Sequence, residues 1–363
     1  MKRYLFIFFM GFLCLSLNAQ ESSSGTDVEA IFVGNNKGGS ISIIDANTLE
    51  VIDELNIIPD KEEQESKKQT WINGYVNRKL GAKYVDDMDV LPNGKTIVVS
   101  RPAYADIAAF DLNTKELLWT IPLKKRPDHQ VMTKDGKYLF VSMLLNSEGL
   151  KIDLENQKIV GTYKTGKRPH SIVLNSDESL VYNGSLKGNN IVVVDTETLK
   201  QQKTLPFPEG VRPFKISDDE TTIYAQLSYC HCLVEYELKT QAVVRRIELP
   251  VPEFVESIPL DDYPFDAAHH GIGISDDRQL ISIAGTISNY VAILSFPEMD
   301  LLAYHETGIE PSWITNGFDG DTFFVSSRKD DTVYVFSYHS LEKLKAIPVG
   351  EYPQRMTRAI WCR

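Results

Sequence analysis

The chain has little of what disulfide scaffolds and zinc-binding modules are built on. Only four cysteines occur in 363 residues. That is too few for a bridge framework, and the paired Cys-x-x-Cys spacing of zinc sites is absent. Histidine is scarce too, at seven. There is no Gly-rich phosphate loop, no Gly-x-Ser-x-Gly elbow and no His-Glu-x-x-His pair, so the common signatures of nucleotide hydrolysis, serine esterases and zinc peptidases are missing. Positive charge is in deficit: 38 Lys and Arg against 50 Asp and Glu give a net charge of -12. This balance disfavours nucleic acid and anionic lipid as partners. Beyond the N-terminus no run is long and apolar enough to span a bilayer, so no transmembrane anchor is expected in the mature chain. What remains is ordinary for a folded protein with a sizeable core, 42% hydrophobic and 24% charged residues, which excludes disorder along the whole chain.

The first residues read as an address. Lys2 and Arg3 precede an apolar run from Leu5 to Leu13, and small Ala19 follows the first polar residues. This is the pattern of a secretory signal (residues 1–19) cleaved after Ala19. The expected product is periplasmic or secreted, with a short linker at 20–29. Loss of Lys2 and Arg3 leaves 36 basic against 50 acidic residues, a charge of -14. Removal of Cys14 leaves Cys230, Cys232 and Cys362, an odd number, so at least one is free, metal-bound or paired between chains.

Internal repetition decides the architecture. Short β-branched and aromatic runs alternate with Gly, Asn, Asp and Ser, as in Leu180-Val181-Tyr182-Asn183 followed by Ile191-Val192-Val193-Val194. Such runs read as successive antiparallel strands. The polar residue that ends the third run of each unit falls at Asp45, Asp111, Asp153, Asp195, Glu237, Ser295 and Ser337. The gaps are 66, 42, 42, 42, 58 and 42, a period near 42 with insertions of 24 and 16 residues. Seven four-stranded units of this length predict an all-β, seven-bladed β-propeller over 30–363, of the same general kind as WD40-like rings. The first unit lacks an innermost strand, and Gln354 to Ile360 is available to supply it and close the ring. The insertions lie near 60–83 and 250–268.

The segment Ala30-Ile31-Phe32-Val33-Gly34-Asn35-Asn36, with Ser40-Ile41-Ser42-Ile43-Ile44-Asp45, Thr48 and Val51, resembles the YVTN-repeat propellers, which include YncE-like and surface-layer proteins. The resemblance covers nearly all of the mature chain. It implies a seven-bladed ring outside the cytoplasm and little chemistry, because the repeat encodes blade packing and fold does not settle function.

The once-per-blade aspartates Asp45, Asp111, Asp153 and Asp195 read as turn caps rather than catalytic carboxylates. Function is expected on the face where chain enters the inner strands and where both insertions lie. The starts of the inner strands offer two alternating sets. One gathers Asp87, His129, His270, Trp313 and Arg355; the other gathers Asp86, Asp128, His170, His269 and Gln354. Arg101 and Arg328 follow second strands, and Arg126, Arg168 and Arg212 each precede a proline, a pattern that also suits bracing between blades.

Two functions fit. In the first, an exported propeller binds a small polar or anionic ligand, or an envelope protein, with Arg101, Arg168, Arg328 and Arg355 on the ligand and Trp71 and Trp313 as flat apolar surface. In the second, the channel mouth is an enzyme centre of oxidoreductase, lyase or lactonase-like type. Its metal, copper or zinc, is held by His129, His270 and Asp87, with Cys230 and Cys232 nearby. Alternatively, His170 or His269 acts as a general acid/base there.

Overall fold

The computed structural model describes residues 26–60 and 81–363; the leader and Trp71 lie outside them. Among the described residues, twenty-eight strands, numbered in chain order, form seven four-stranded antiparallel sheets. Six sheets are made of consecutive strands. In the first, β28 (Pro353–Trp361) pairs with β1 (Val28–Asn35), followed by β2 (Ser40–Asp45) and β3 (Glu50–Asn56). The register runs from Val28 opposite Trp361 to Gly34 opposite Arg355. The C-terminal strand thus closes the ring from the inside, as expected. Among the described residues, no helix is long and apolar enough to cross a membrane.

The seven ruler residues end the third strands of the seven blades. Third strands are sandwiched between neighbouring blades, so both their faces are apolar; Ile191 to Val194 in β14 (Asn190–Asp195) are all buried. Outer strands face water on one side and read polar, as in β15 (Gln201–Pro206), where Leu205 alone is buried. Every pairing between third and fourth strands carries one register shift, a bulge that adds local twist.

The turn after each third strand explains the aspartates. Asp195 Oδ1 accepts the Thr198 amide at 2.7 Å and the Thr198 hydroxyl at 2.7 Å. Asp45 and Asp111 take the amides two and three residues on. Four residues past each ruler position, Leu49, Lys115, Gln157, Leu199, Gln241, Met299 and Leu341 all adopt positive φ. A left-handed side-chain-bearing residue costs roughly 1–2 kcal/mol, which the capping bonds offset.

The inner strands are β4 (Asp87–Val90), β8 (Gln130–Met132), β12 (Pro169–Leu174), β16 (Val211–Ile216), β20 (Gly271–Ile274), β24 (Pro311–Asn316) and β28. The second insertion forms a short helix at Glu253–Glu256 and two tight turns at Leu260–Asp262 and Pro264–Asp266. It lies over the mouth of the channel that these strands surround.

Candidate functional site

Two stacked rings of side chains come from the starts of the inner strands. The upper ring is Asp86, Asp128, His170, Arg212, His270, Ser312 and Gln354, spaced 42, 42, 42, 58, 42 and 42. Six of the seven line a cavity of about 400 Å³ on the loop-bearing face. The next position in each blade gives Asp87, His129, Ser171, Pro213, Gly271, Trp313 and Arg355, and six of these line a separate space inside the channel. Strand alternation predicts that neighbouring positions diverge. In the first, fourth, fifth and seventh blades, however, a register shift falls on these residues, and bulges re-aim side chains.

Three imidazoles converge: His129, His170 and His270 each present a ring nitrogen, all within 4.8 Å of one another. All three side chains are buried. Their pKa values are pushed well below the usual histidine range, first by burial and then by cationic neighbours, Arg355 for His129 and Arg212 for His170. For His270 the neighbours are His170 and Arg212. The rings are therefore neutral, the form that ligates metals.

The outer nitrogens fix what the inner ones present. His170 Nδ1 donates to the Asp128 carboxylate at 2.7 Å, and His270 Nδ1 donates to the Ser312 carbonyl at 3.1 Å. With both Nδ1 atoms carrying the proton, the two Nε2 atoms are bare lone pairs, yet they face each other at 2.9 Å. That contact is repulsive unless a positive charge, a proton or a metal ion, is shared between them. His129 brings one ring nitrogen within 4.8 Å of theirs, and its Nε2 is buried with no hydrogen-bond partner among the described residues. A carboxylate and a carbonyl behind two histidines form the outer shell that metal-binding imidazoles use. Asp86 adds a second carboxyl against Asp128, and burial raises its pKa to about 7.

The set expected from sequence is therefore regrouped. His129 and His270 meet as expected, but the third member is His170. Asp87 lies outside this group and is engaged elsewhere: its oxygens take the Met88 and Gln130 amides and the Arg355 guanidinium. Cys230 and Cys232 are joined by a disulfide, which removes both thiolates as donors, and Cys362 is free. His269 sits one position before the ring, where other blades carry Pro127, Pro169, Pro311 and Pro353. It is fully buried and bonded to the Tyr290 hydroxyl at 2.8 Å, away from His170.

The arginines also separate. Arg101 makes a buried two-pronged pair with Asp106, at 2.9 and 2.7 Å, and bonds Asp60 and the Ile57 carbonyl. These bonds make it a brace within the protein. Arg355 sits over Trp313, its guanidinium carbon 3.5 Å from the ring centroid, in the channel below. Arg168 and Arg328 do line the mouth cavity, joined by Arg126 and Arg212. Arg212 shares the position of His170 rather than of Arg168, two residues out of step with the Arg-Pro series, and holds the Phe265 and Asp266 carbonyls of the insertion.

No family model matches the chain, and no curated protein matches it. Solved structures do. A protein of unknown function from Desulfotomaculum acetoxidans is similar with a TM-score of 0.58 and 18% identity, over 70% of this chain and 80% of that one. Dihydro-heme d1 dehydrogenase NirN, in complex with DHE, is similar with a TM-score of 0.63 and 9% identity, over 91% of this chain and 75% of that one. At such identities the likeness is one of fold: the chain is a β-propeller.

Proposed function

We propose that this protein is an exported propeller of the YVTN-repeat kind that holds one copper or zinc ion on His129, His170 and His270. The ion would be presented to a small ligand in the cavity at the channel mouth. The observation that carries the reading is the pair of facing Nε2 lone pairs at 2.9 Å, with a ring nitrogen of His129 within 4.8 Å of them. A cation removes that repulsion and gives all three nitrogens a partner. Neutral imidazoles suit copper and zinc, and three protein ligands leave a position for water or substrate. Zinc would supply Lewis-acid chemistry there, and copper would supply one-electron chemistry.

Around the ion, this chain's residues have separate tasks. Asp128 and the Ser312 carbonyl fix the rings of His170 and His270. Asp86, with its pKa near 7, holds or releases a proton beside the centre. The insertion at 250–268 covers the mouth with Tyr263 and Phe265 and limits access of water. The leader-like N-terminus supports export.

The test is metal content. The chain from Gln20, purified without chelator or histidine tag, is measured by plasma mass spectrometry beside the His170→Ala/His270→Ala variant. Near-stoichiometric copper or zinc, lost in the variant, is expected. A native preparation that contains neither metal and retains neither after loading overturns the reading.

A further inference from the structure

The cavity above the histidines carries unused positive charge. Arg126 and Arg328 are 6% and 1% exposed, yet among the described residues Arg126 Nη1 and Arg328 Nη2 have no hydrogen-bond partner. A buried guanidinium N–H without an acceptor costs more than an ordinary lost hydrogen bond. Asp86 and Asp128 attract Arg126 across the cavity without bonding its Nη1, and Glu310 and Asp266 are engaged elsewhere. Glu310 takes Lys329 at 2.6 Å and reaches only the Nε side of Arg328, at 3.5 Å. Asp266 pairs with Lys187 at 3.3 Å and Arg168 at 3.9 Å. In a chain of net charge -12, five cations, Lys83, Arg126, Arg168, Arg212 and Arg328, line the mouth beside four acids, Asp86, Asp128, Asp261 and Asp266.

We propose that Arg126 and Arg328 form a subsite for the carboxylate of a small organic acid, in the same cavity that His170 and His270 line. Guanidinium forks match carboxylates, and acceptor oxygens there would satisfy the orphaned N–H groups. The body of the ligand has its own surface: Leu144, Leu186 and Phe265 line the same cavity. Phe265 is held by the Arg328 guanidinium, 4.6 Å from its ring centroid. About 400 Å³ admits an acid of benzoate size and larger. The inference deepens the metal reading, since it names the class of molecule brought to the ion, but its physical basis is independent of the ion.

The experiment is calorimetric titration of benzoate, acetate and phosphate into the protein as purified and after chelator treatment. Benzoate is expected to bind in both forms and more tightly than acetate. Arg126→Gln and Arg328→Gln should each weaken benzoate by about tenfold or more without changing metal content. Arg246→Gln, on an outer strand, should leave it unchanged. Benzoate binding that is arginine-dependent in a protein that holds no metal keeps this inference and ends the metal reading. Binding that needs the metal and ignores both arginines ends this inference and keeps the metal. No binding of any of the three acids in either form overturns it.

Discussion

Asp128 Oδ2 and His170 Nδ1 meet at 2.7 Å across the boundary between the third and fourth blades, from the same position of the repeat 42 residues apart. His270 and the Ser312 carbonyl repeat the relation between the sixth and seventh blades, again 42 apart. The period that builds the ring also builds the support behind the histidines: in each case an adjacent blade, the preceding one for His170 and the following one for His270, supplies the acceptor for the imidazole N–H. Asp128 is therefore a positioning residue. Asp128→Asn should lower metal affinity by about 10–100-fold with the three histidines intact, measured by competition with a chromophoric chelator. Unchanged affinity would remove Asp128 from the centre.

Neighbouring histidines in the sixth blade should behave oppositely. His270→Ala should abolish metal retention. His269→Ala should leave it intact and lower stability instead, because it empties a fully buried site and strands the Tyr290 hydroxyl. Urea unfolding and metal analysis on both variants decide this; metal loss in His269→Ala would contradict the assignment.

Arg101 offers a control among the arginines. Its pair with Asp106 is buried on both sides, 0% and 5% side-chain exposure. Removing one partner of such a pair leaves an uncompensated charge and costs about 3–5 kcal/mol. Arg101→Met should lose stability on that scale in urea unfolding while its benzoate affinity, measured on the folded fraction, stays at the native value.

The Asp86 carboxyl should make the metal-free protein less stable as pH rises. Burial lifts its pKa from 3.8 to about 7, against the opposing pull of Lys83. Between those values the folded state keeps a proton that the unfolded chain has released. Its contribution to stability is full at low pH, is lost as pH rises through about 7, and is level above. Asp86→Asn should flatten this limb when chelator-treated protein is unfolded in urea at a series of pH values. An unchanged slope would place the titration elsewhere.

The ring was legible in the sequence because it is periodic. The polar residue closing each third strand recurs at 42 wherever no insertion intervenes, and the strand patterns follow from burial between blades. The site was only half legible. The insertion of 16 residues before the sixth blade leaves the start of its inner strand unanchored by one position, which let His269 stand where His270 belongs. A similar slip hid Arg212, whose following proline imitates the Arg-Pro series of Arg126 and Arg168. Carrying the spacing through from His170 to Arg212 and His270 would have found both. Alternation set His129 against His170, and bulges at the inner strands, which no residue pattern announces, bring them together. Nothing in the sequence could say that Arg101 is consumed by Asp106 while Arg126 and Arg328 keep free N–H groups.

The most direct test is X-ray absorption at the edge of the bound metal, in native protein and in His129→Ala. Three imidazole nitrogens at about 2.0 Å with no sulfur scatterer are expected, and two after the substitution. A first shell containing sulfur, or one unchanged by loss of His129, would contradict it.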